Sequence, residues 1–373
     1  MGSYTYRDIC KTFKQLGHEV RTVYYNFEDR LNDAFFVDKF TEKMRSIKCD
    51  LVFSVNFFPL VALVADNFKV PYLSWSYDSP LAESLETFFN FERNYIFLFD
   101  KAEVHEYVKR GHTNVFHIPL AAGDRKLKEN SLLKEKYSAE VSFVGQLYSE
   151  MYEALIIPLD DYTKGYLESA LMAQQLIYGE NILKYMLNSE IMVRVNNAYE
   201  AIGNKYKLTK LGLQTAIQKK ITNIERIILM ETAGKMFDTK FYSNDLYDFQ
   251  TDVKSMGMVH YFNEMPYVFK YSKINLCPTV RSIISGIPLR ALDIMKCGGT
   301  LLCSWQPELM EYFEDGESVI LYSSLEEAVD KMDFYLRNDT SREKICERGN
   351  SIVNEKFRYE DRIVEMLIKV KRY

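Results

Sequence analysis

The sequence contains no Cys-x-x-Cys pair, no His at zinc-finger spacing from its cysteines, and no Gly-x-Gly-x-x-Gly. The first two absences argue against a structural zinc site and a dithiol redox centre. The third leaves a dinucleotide-dependent enzyme with little support. The six cysteines (Cys10, Cys49, Cys277, Cys297, Cys303 and Cys346) read as buried free thiols in a reducing compartment, so a cytoplasmic location is expected. Excess positive charge is also lacking. The net charge is −5 and the isoelectric point is near 5.7, and nothing calls for a basic face of the kind that binds nucleic acid. The basic end, Lys369 to Arg372, reads as a solvated helix terminus. No basic start leads into an apolar run, so no signal peptide is expected. The most apolar stretch, Leu51 to Phe68, is broken by Ser54, Asn56, Pro59 and Asp66, and reads as a buried strand and helix, with no integral membrane segment.

What is present is a long globular chain. Its 373 residues exceed one compact core, and 47% apolar with 27% charged residues excludes disorder. The first half alternates short apolar runs with helical segments: a helix over Arg7 to Leu16, an extended run over Val20 to Tyr25, strands at Leu51 to Val55, Val70 to Trp75, Tyr95 to Phe99 and Val115 to Ile118, and helices between them. Such alternation predicts a parallel sheet covered on both faces. The chain starts at a loop, Met1 to Tyr6, and enters a helix at once, so the strand that usually opens an α/β sheet is expected to be missing. The domain boundaries expected are an N-terminal, acceptor-side domain over 1–124, a polar linker over 125–140, a second domain over 141–356 and a last helix over 357–373 packing across the domain junction. Within the second domain, 163–234 has helical periodicity and almost no strand signal, which predicts a helical insertion, with Thr163 capping one helix and Thr222 opening another. Strand signals resume at Thr239 to Tyr242, Met258 to Tyr261, Ile274 to Cys277, Thr300 to Ser304 and Ser318 to Tyr322.

The stretch from Arg281 to Cys303 is the richest in chemistry. It reads as loop, helix, glycine stop and strand, with Ser285-Gly286 just ahead of the helix and Pro288 in its first turn. A loop entering a helix N-terminus offers free N–H groups and a positive dipole end to a phosphate, and Arg281 and Arg290 add charge there. Asp293, one turn on, is placed to accept hydrogen bonds from ribose hydroxyls; the alternative is a surface carboxylate paired with a solvated Arg290. Gly298-Gly299 would end the helix and let backbone approach a ligand. Gly145, after the strand Val141 to Val144, is a second candidate for diphosphate contact, with an ordinary turn as its alternative. His260 ends a strand candidate and can face the nucleotide. Asp78, in Trp75-Ser76-Tyr77-Asp78-Ser79-Pro80, is either a base for an acceptor hydroxyl or the cap of a helix starting at Ser79-Pro80.

Gly286-x-Pro288, then Asp293, then Cys297-Gly298-Gly299 and an apolar strand resembles the donor-site signature of group-1 glycosyltransferases. The fuller run from Met265-Pro266 through Ile274-Asn275-Leu276 to Leu289-Arg290, extended by Gln306-Pro307-Glu308-Leu309 and Tyr312-Phe313, is similar to the spore-maturation-protein-like (CgeB-like) glycosyltransferases. The resemblance implies a GT-B fold: two Rossmann-like, doubly wound domains facing a cleft, with the nucleotide held mainly by the second. It implies a hexosyltransferase-like enzyme of spore or cell-surface glycosylation, moving sugar from a nucleotide-sugar donor to a protein, glycan or small-molecule acceptor. No cofactor is implied. The Asp-x-Asp motif with which other transferases hold a metal is absent, which fits neutralisation of the leaving group by arginines and helix dipoles. The signature's first acidic position falls on Ser285, which is not acidic, so the sugar contact made there does not carry over. The rival expectations are a degenerate binding protein of the same fold and a nucleotide-sugar epimerase.

Overall fold

The structure, a computed structural model, describes residues 4–125, 127–148, 151–205 and 207–371. They fall into two units, Met1–Gly123 with Lys356–Tyr373, and Asp124–Glu355.

The first unit opens with α1 (Tyr6–Gln15) and α2 (Ala34–Ser46) and then alternates β1 (Val52–Val55), α3 (Pro59–Asn67), β2 (Tyr72–Ser76), β3 (Asn94–Leu98), α4 (Lys101–Lys109) and β4 (Val115–His117). The four strands pair in chain order and all in parallel. Every residue of β2 and β3 is buried, as expected for strands flanked on both sides and covered on both faces, whereas edge strand β1 is half-buried throughout. One face carries Tyr72, Ile96 and Leu98 against Phe36, Leu60, Val64 and Tyr107 of the helices. On the other, Trp75 meets the ring of Tyr359 at the start of the last helix, α15 (Tyr359–Lys371), which also packs on α1. The apolar stretch 51–68 is thus β1 and α3, and among the described residues no helix is long and apolar enough to cross a membrane. Val20 to Tyr25 lies outside every sheet; Val23 and Tyr24 are exposed, and β1 pairs on one side only, with β2.

The second unit contains α5 (Ser131–Tyr137), inside the stretch expected as a linker, then β5 (Ala139–Val144), β6 (Thr239–Tyr242), β7 (Val253–Ser255), α11 (Met265–Tyr271), β8 (Ser272–Cys277), α12 (Leu289–Lys296), β9 (Leu301–Ser304), β10 (Ile320–Tyr322), α13 (Leu325–Arg337) and α14 (Asp339–Lys356). Its six parallel strands run β10-β9-β8-β5-β6-β7. The order reverses at β5 and β8, and the carboxyl ends of those two neighbours are where an open α/β sheet forms its ligand crevice. Met258 to Tyr261 is not a strand; the last strand before α11 is β7, and Gly257 turns the chain away with φ of 72°.

Between β5 and β6 stands the helical insertion: α6 (Met151–Ile156), α7 (Asp161–Gln175), α8 (Leu183–Met186), α9 (Ser189–Ala201) and α10 (Lys210–Met236). It has its own core of Leu167, Leu171, Leu183, Ile191, Val195, Leu213 and Ile217. Two capping expectations fail. Asp160 caps α7 by accepting the Thr163 N–H at 2.7 Å, and Thr209 caps α10 by accepting the Gly212 N–H at 3.0 Å. Thr222 sits in the middle of the 27-residue α10, where its hydroxyl donates to the Gln218 carbonyl.

Candidate functional site

One turn of α10 holds both loops at the switch point. The Asn223 amide donates to the Leu147 carbonyl at 3.0 Å. The Arg226 guanidinium reaches across the crevice, donating to the Pro278 carbonyl after β8 at 2.7 and 3.1 Å and to the Gln146 carbonyl after β5. Thr222 accepts the Arg281 N–H at 2.9 Å, and the Glu225 carboxylate accepts Arg281 Nε at 2.9 Å. Sequence reasoning missed Asn223, Glu225 and Arg226 and read Thr222 as the start of a helix. The available signal was four polar residues, Thr222, Asn223, Glu225 and Arg226, amid the apolar Ile221, Ile224 and Ile227 of a long helix. All four are buried, and buried polar side chains in a helix need partners from elsewhere in the fold.

This cluster overturns the role expected of Arg281. Its side chain is buried and ion-paired to Glu225, it donates to the Ile177 and Gln175 carbonyls at 3.1 and 3.4 Å, and it lies 3.4 Å above the Tyr178 ring. Glu225 also accepts the Tyr322 hydroxyl at 2.8 Å and that of Tyr178 at 3.3 Å. Three of its five N–H donors are spent inside the protein and its face is covered by Tyr178, so it is not the open diphosphate ligand expected; Arg281 fastens the insertion to the loop after β8.

Arg290 differs. It stands in the first turn of α12, over the Phe269 ring, and donates to the thioether of Met265, a weak acceptor. Pro288 is the N-cap of α12 rather than a first-turn residue, and no side chain caps the helix. The N–H groups of Leu289 and Arg290 and the positive dipole end therefore open next to a guanidinium that has no carboxylate partner among the described residues. Ser285 is not part of that opening. Its hydroxyl donates to the Glu308 carboxylate at 2.9 Å and its carbonyl accepts the Glu308 N–H at 3.1 Å, so the pair locks the loop to the turn after β9. Gly286 follows it, buried, as the chain enters the helix.

Asp293 is buried on α12, and both its oxygens accept the Tyr261 hydroxyl, at 3.2 and 3.0 Å. Burial, and then Asp293 itself, push the Tyr261 phenol far above its ordinary range. Arg125 lies 5.4 Å from the Tyr261 ring centre and 5.1 Å from that of Phe262. Below Asp293, burial and then the same carboxylate push the Cys297 thiol up to about 12. All six cysteines are free, and Cys277, Cys297 and Cys303 are buried.

The remaining expected contacts go elsewhere. Gly298 and Gly299 close the far end of α12, at the amino end of β9. Eight residues of helix put them about 12 Å from its first turn. Gly298 takes φ of 72° to end the helix, and a Cβ on Gly299 would fall 2.6 Å from the Phe269 carbonyl, so the close backbone approach is to the chain itself. The Gly145 N–H is spent on the Tyr242 carbonyl, and Leu147 N–H on the Asp245 carboxylate, which withdraws both from diphosphate binding. His260 is exposed and caps a turn: Nδ1 accepts the Phe262 and Asn263 N–H groups at 3.3 and 3.2 Å, and its own N–H goes to Glu264. Glu264 is held down to about 2, first by the Tyr137 hydroxyl and then by that N–H.

In the first unit, Asp78 is exposed at the carboxyl end of β2 and accepts the Asn56 amide at 2.7 Å. Asn56, with φ of 64°, also accepts the Tyr77 and Asp78 N–H groups at 2.7 and 3.3 Å. No helix starts at Ser79; the next turn of 3-10 helix is Glu83–Phe88, with Ala82 before it. Asp78 is therefore not a helix cap.

Residues 226–368, which contain Arg281, Arg290 and Asp293, match a family model described as glycosyl transferase-like. No curated protein matches the chain. Among solved structures, HepE of Anabaena in complex with UDP-glucose is similar at a TM-score of 0.55 and 10% identity, over 90% of this chain and 82% of that one. A glycosyltransferase of Rickettsia africae is similar at 0.52 and 11%, over 100% and 88%, and sucrose-phosphate synthase of Thermosynechococcus elongatus at 0.51 and 12%, over 90% and 77%. At such identities the likeness shows the fold, which is that of the GT-B glycosyltransferases.

Proposed function

We propose that the chain is a CgeB-like glycosyltransferase that moves a hexose from a nucleotide-sugar donor to a hydroxyl of a protein or glycan acceptor. The observation that carries this reading is the pairing, on one helix at the carboxyl end of β8, of an uncapped N-terminus beside Arg290 with a buried carboxylate, Asp293, one turn on. The first set suits a diphosphate and the second a ribose diol. The match of 226–368 to a glycosyl transferase-like family supports it, and the UDP-glucose bound by HepE supports the donor class.

In the proposed reaction an acceptor oxygen bonds to the anomeric carbon as the bond to the diphosphate breaks. The diphosphate leaves with the electron pair, stabilised by Arg290 and the first N–H groups of α12. Asp78 takes the acceptor proton if the reaction inverts, its carboxylate held by Asn56. Charge is neutralised without a metal, and the reaction runs in the cytoplasm.

The test is calorimetric titration with uridine and guanosine diphosphates and their hexose conjugates, with and without a chelator, followed by assay for released nucleoside diphosphate. The expected result is binding unchanged by chelator and slow release from one conjugate. No affinity for any of them would overturn the donor assignment, and loss of binding on chelation would overturn metal independence.

A further inference from the structure

Gln306 stands in the turn that leaves the carboxyl end of β9, just before Glu308. It is 2% exposed, and its side-chain oxygen is buried with no hydrogen-bond partner among the described residues. Taking an amide oxygen out of water without a partner costs free energy, and buried polar atoms left so are few in native folds. The neighbours fix where this side chain goes. Trp305 and Pro307 pack on Gly179 of the insertion, where a Cβ would collide with the Trp305 ring and lie 3.1 Å from Pro307 Cδ. Gln306 lies between them in extended backbone, φ −136° and ψ 133°, so its side chain leaves on the side opposite to Trp305. That is the side of Ser304, whose hydroxyl accepts the Thr279 N–H at 2.9 Å from the loop after β8. The same loop meets the turn again at Ser285, just ahead of α12, which is bonded to Glu308 through its hydroxyl at 2.9 Å and its carbonyl at 3.1 Å. The orphaned acceptor is thus carried on a tied-down turn beside the loop that enters α12.

We propose that Gln306 is a specificity-determining residue for the transferred sugar, its amide oxygen accepting one hydroxyl of the donor's hexose. This rests on the donor reading above and adds to it a sugar subsite in the turn after β9, apart from Arg290 and Asp293. An amide oxygen only accepts, so the group it meets must be a donor, and a hydroxyl supplies one without bringing charge into a buried turn. No hydrogen bond holds the oxygen among the described residues, so turning the terminal amide about its broad last torsion toward the sugar breaks none there. The same geometry accounts for Ser285. An acid at that position would bring a second carboxylate against the buried Glu308, and like charges that close disfavour ionisation of both. A serine bonds to Glu308 instead and fixes the turn that carries Gln306. The contact contributes to the choice of sugar and not to bond breaking.

The test measures affinities for uridine and guanosine diphosphates, their glucose and mannose conjugates, and the singly deoxygenated forms of those conjugates. It uses the wild-type chain and Gln306→Met, which keeps the length of the side chain and removes the acceptor. The wild type is expected to bind one parent conjugate about tenfold more tightly than one of its deoxy forms, the size of one good hydrogen bond. Gln306→Met is expected to bind that parent only as tightly as the deoxy form, and the bare diphosphate as the wild type does. Its melting temperature should hold or rise, because no hydrogen bond of that oxygen within the fold is lost. A variant that keeps the wild-type preference overturns the proposal. So does one that melts several degrees lower or fails to fold, since the amide would then be serving the turn itself. A wild-type chain that binds the diphosphates but treats parent and deoxy conjugates alike sinks this inference alone, whereas one that binds neither diphosphate nor conjugate sinks the donor site with it.

Discussion

In the first sheet the loops after β1 and β2 hold each other: Asn56 accepts two N–H groups of the neighbouring loop and donates to Asp78, and the carboxylate stays exposed. In the second sheet the loops after β5 and β8 are held by a third element, α10, through buried Thr222, Asn223, Glu225 and Arg226. The first arrangement uses hydrogen bonds near water, one of them to an exposed carboxylate, and each is worth little. The second buries an ion pair, whose desolvation cost is offset only by good geometry and full hydrogen bonding. Fixed loops are what recognition of a diphosphate and ribose requires, since a site that is already formed spends less binding energy on ordering. An exposed carboxylate suits a group that must exchange protons with acceptor and solvent.

The sharpest way to break this contrast is Arg281→Met. If the arginine is a fastener, the substitution leaves Glu225 charged and buried with only two tyrosine hydroxyls, and stability should fall by about 3–5 kcal/mol. Urea unfolding measures it, and a midpoint within error of wild type would mean that the ion pair does not hold the insertion. Next in size is Asp293→Ala, which should weaken nucleoside diphosphate binding by about a hundredfold, given two hydrogen bonds to a charged acceptor, and cost about 1–3 kcal/mol of stability because the buried Tyr261 hydroxyl loses its acceptor. Asp78→Asn, its counterpart in the first unit, should leave that affinity untouched and lower turnover instead. Calorimetry that ranks the two the other way would exchange the roles of the two loops.

The difference between the two regions marks how far the sequence could be read. Strand and helix alternation placed the parallel sheets, because burial on both faces writes itself as short apolar runs, and the insertion showed in its helical period. The helix that carries Arg290 and Asp293 was legible because a helix start, a proline and a glycine stop are local signals. Arg281 was not, because Glu225, the residue that consumes it, lies 56 positions earlier on a helix whose polar turn resembles a helix start. Tyr261 was hidden for a related reason: the segment Met258 to Tyr261 reads as a strand, yet Gly257 turns it into a loop that delivers the phenol to Asp293. Gly145 and Gly299 misled because each serves the chain's own packing.

Arg290→Met tests the other half of the arginine contrast. It removes a cation that donates to a thioether rather than to a carboxylate, so stability should stay within about 0.5 kcal/mol while diphosphate affinity falls about tenfold. The comparison with Arg281→Met is the point: one variant should move the unfolding midpoint, the other the binding isotherm. A variant that moves both equally would erase the distinction between fastener and ligand.

The smallest effect expected concerns an anchor of the first loop outside the sheet. Glu103, in the first turn of α4, accepts the Ser79 hydroxyl and the Leu81 N–H, both at 2.7 Å, and so ties down the segment after Asp78. Burial pushes its carboxyl from an ordinary 4.5 up to about 7, against the pull of the Leu81 and Ser79 donors. The folded chain therefore binds this proton more tightly than the unfolded chain. Its contribution to stability is fully present below pH 4.5 and is lost as pH rises to about 7. Glu103→Gln keeps a neutral acceptor and removes the titration. Relative to wild type it should gain about 1 kcal/mol between pH 5 and pH 8, the figure allowing for partial exposure to water. Urea midpoints of the two chains at those two pH values measure the change; a gap that does not widen with pH would mean that the carboxylate ionises there as it does in water, and that this loop is held without a buried charge after all.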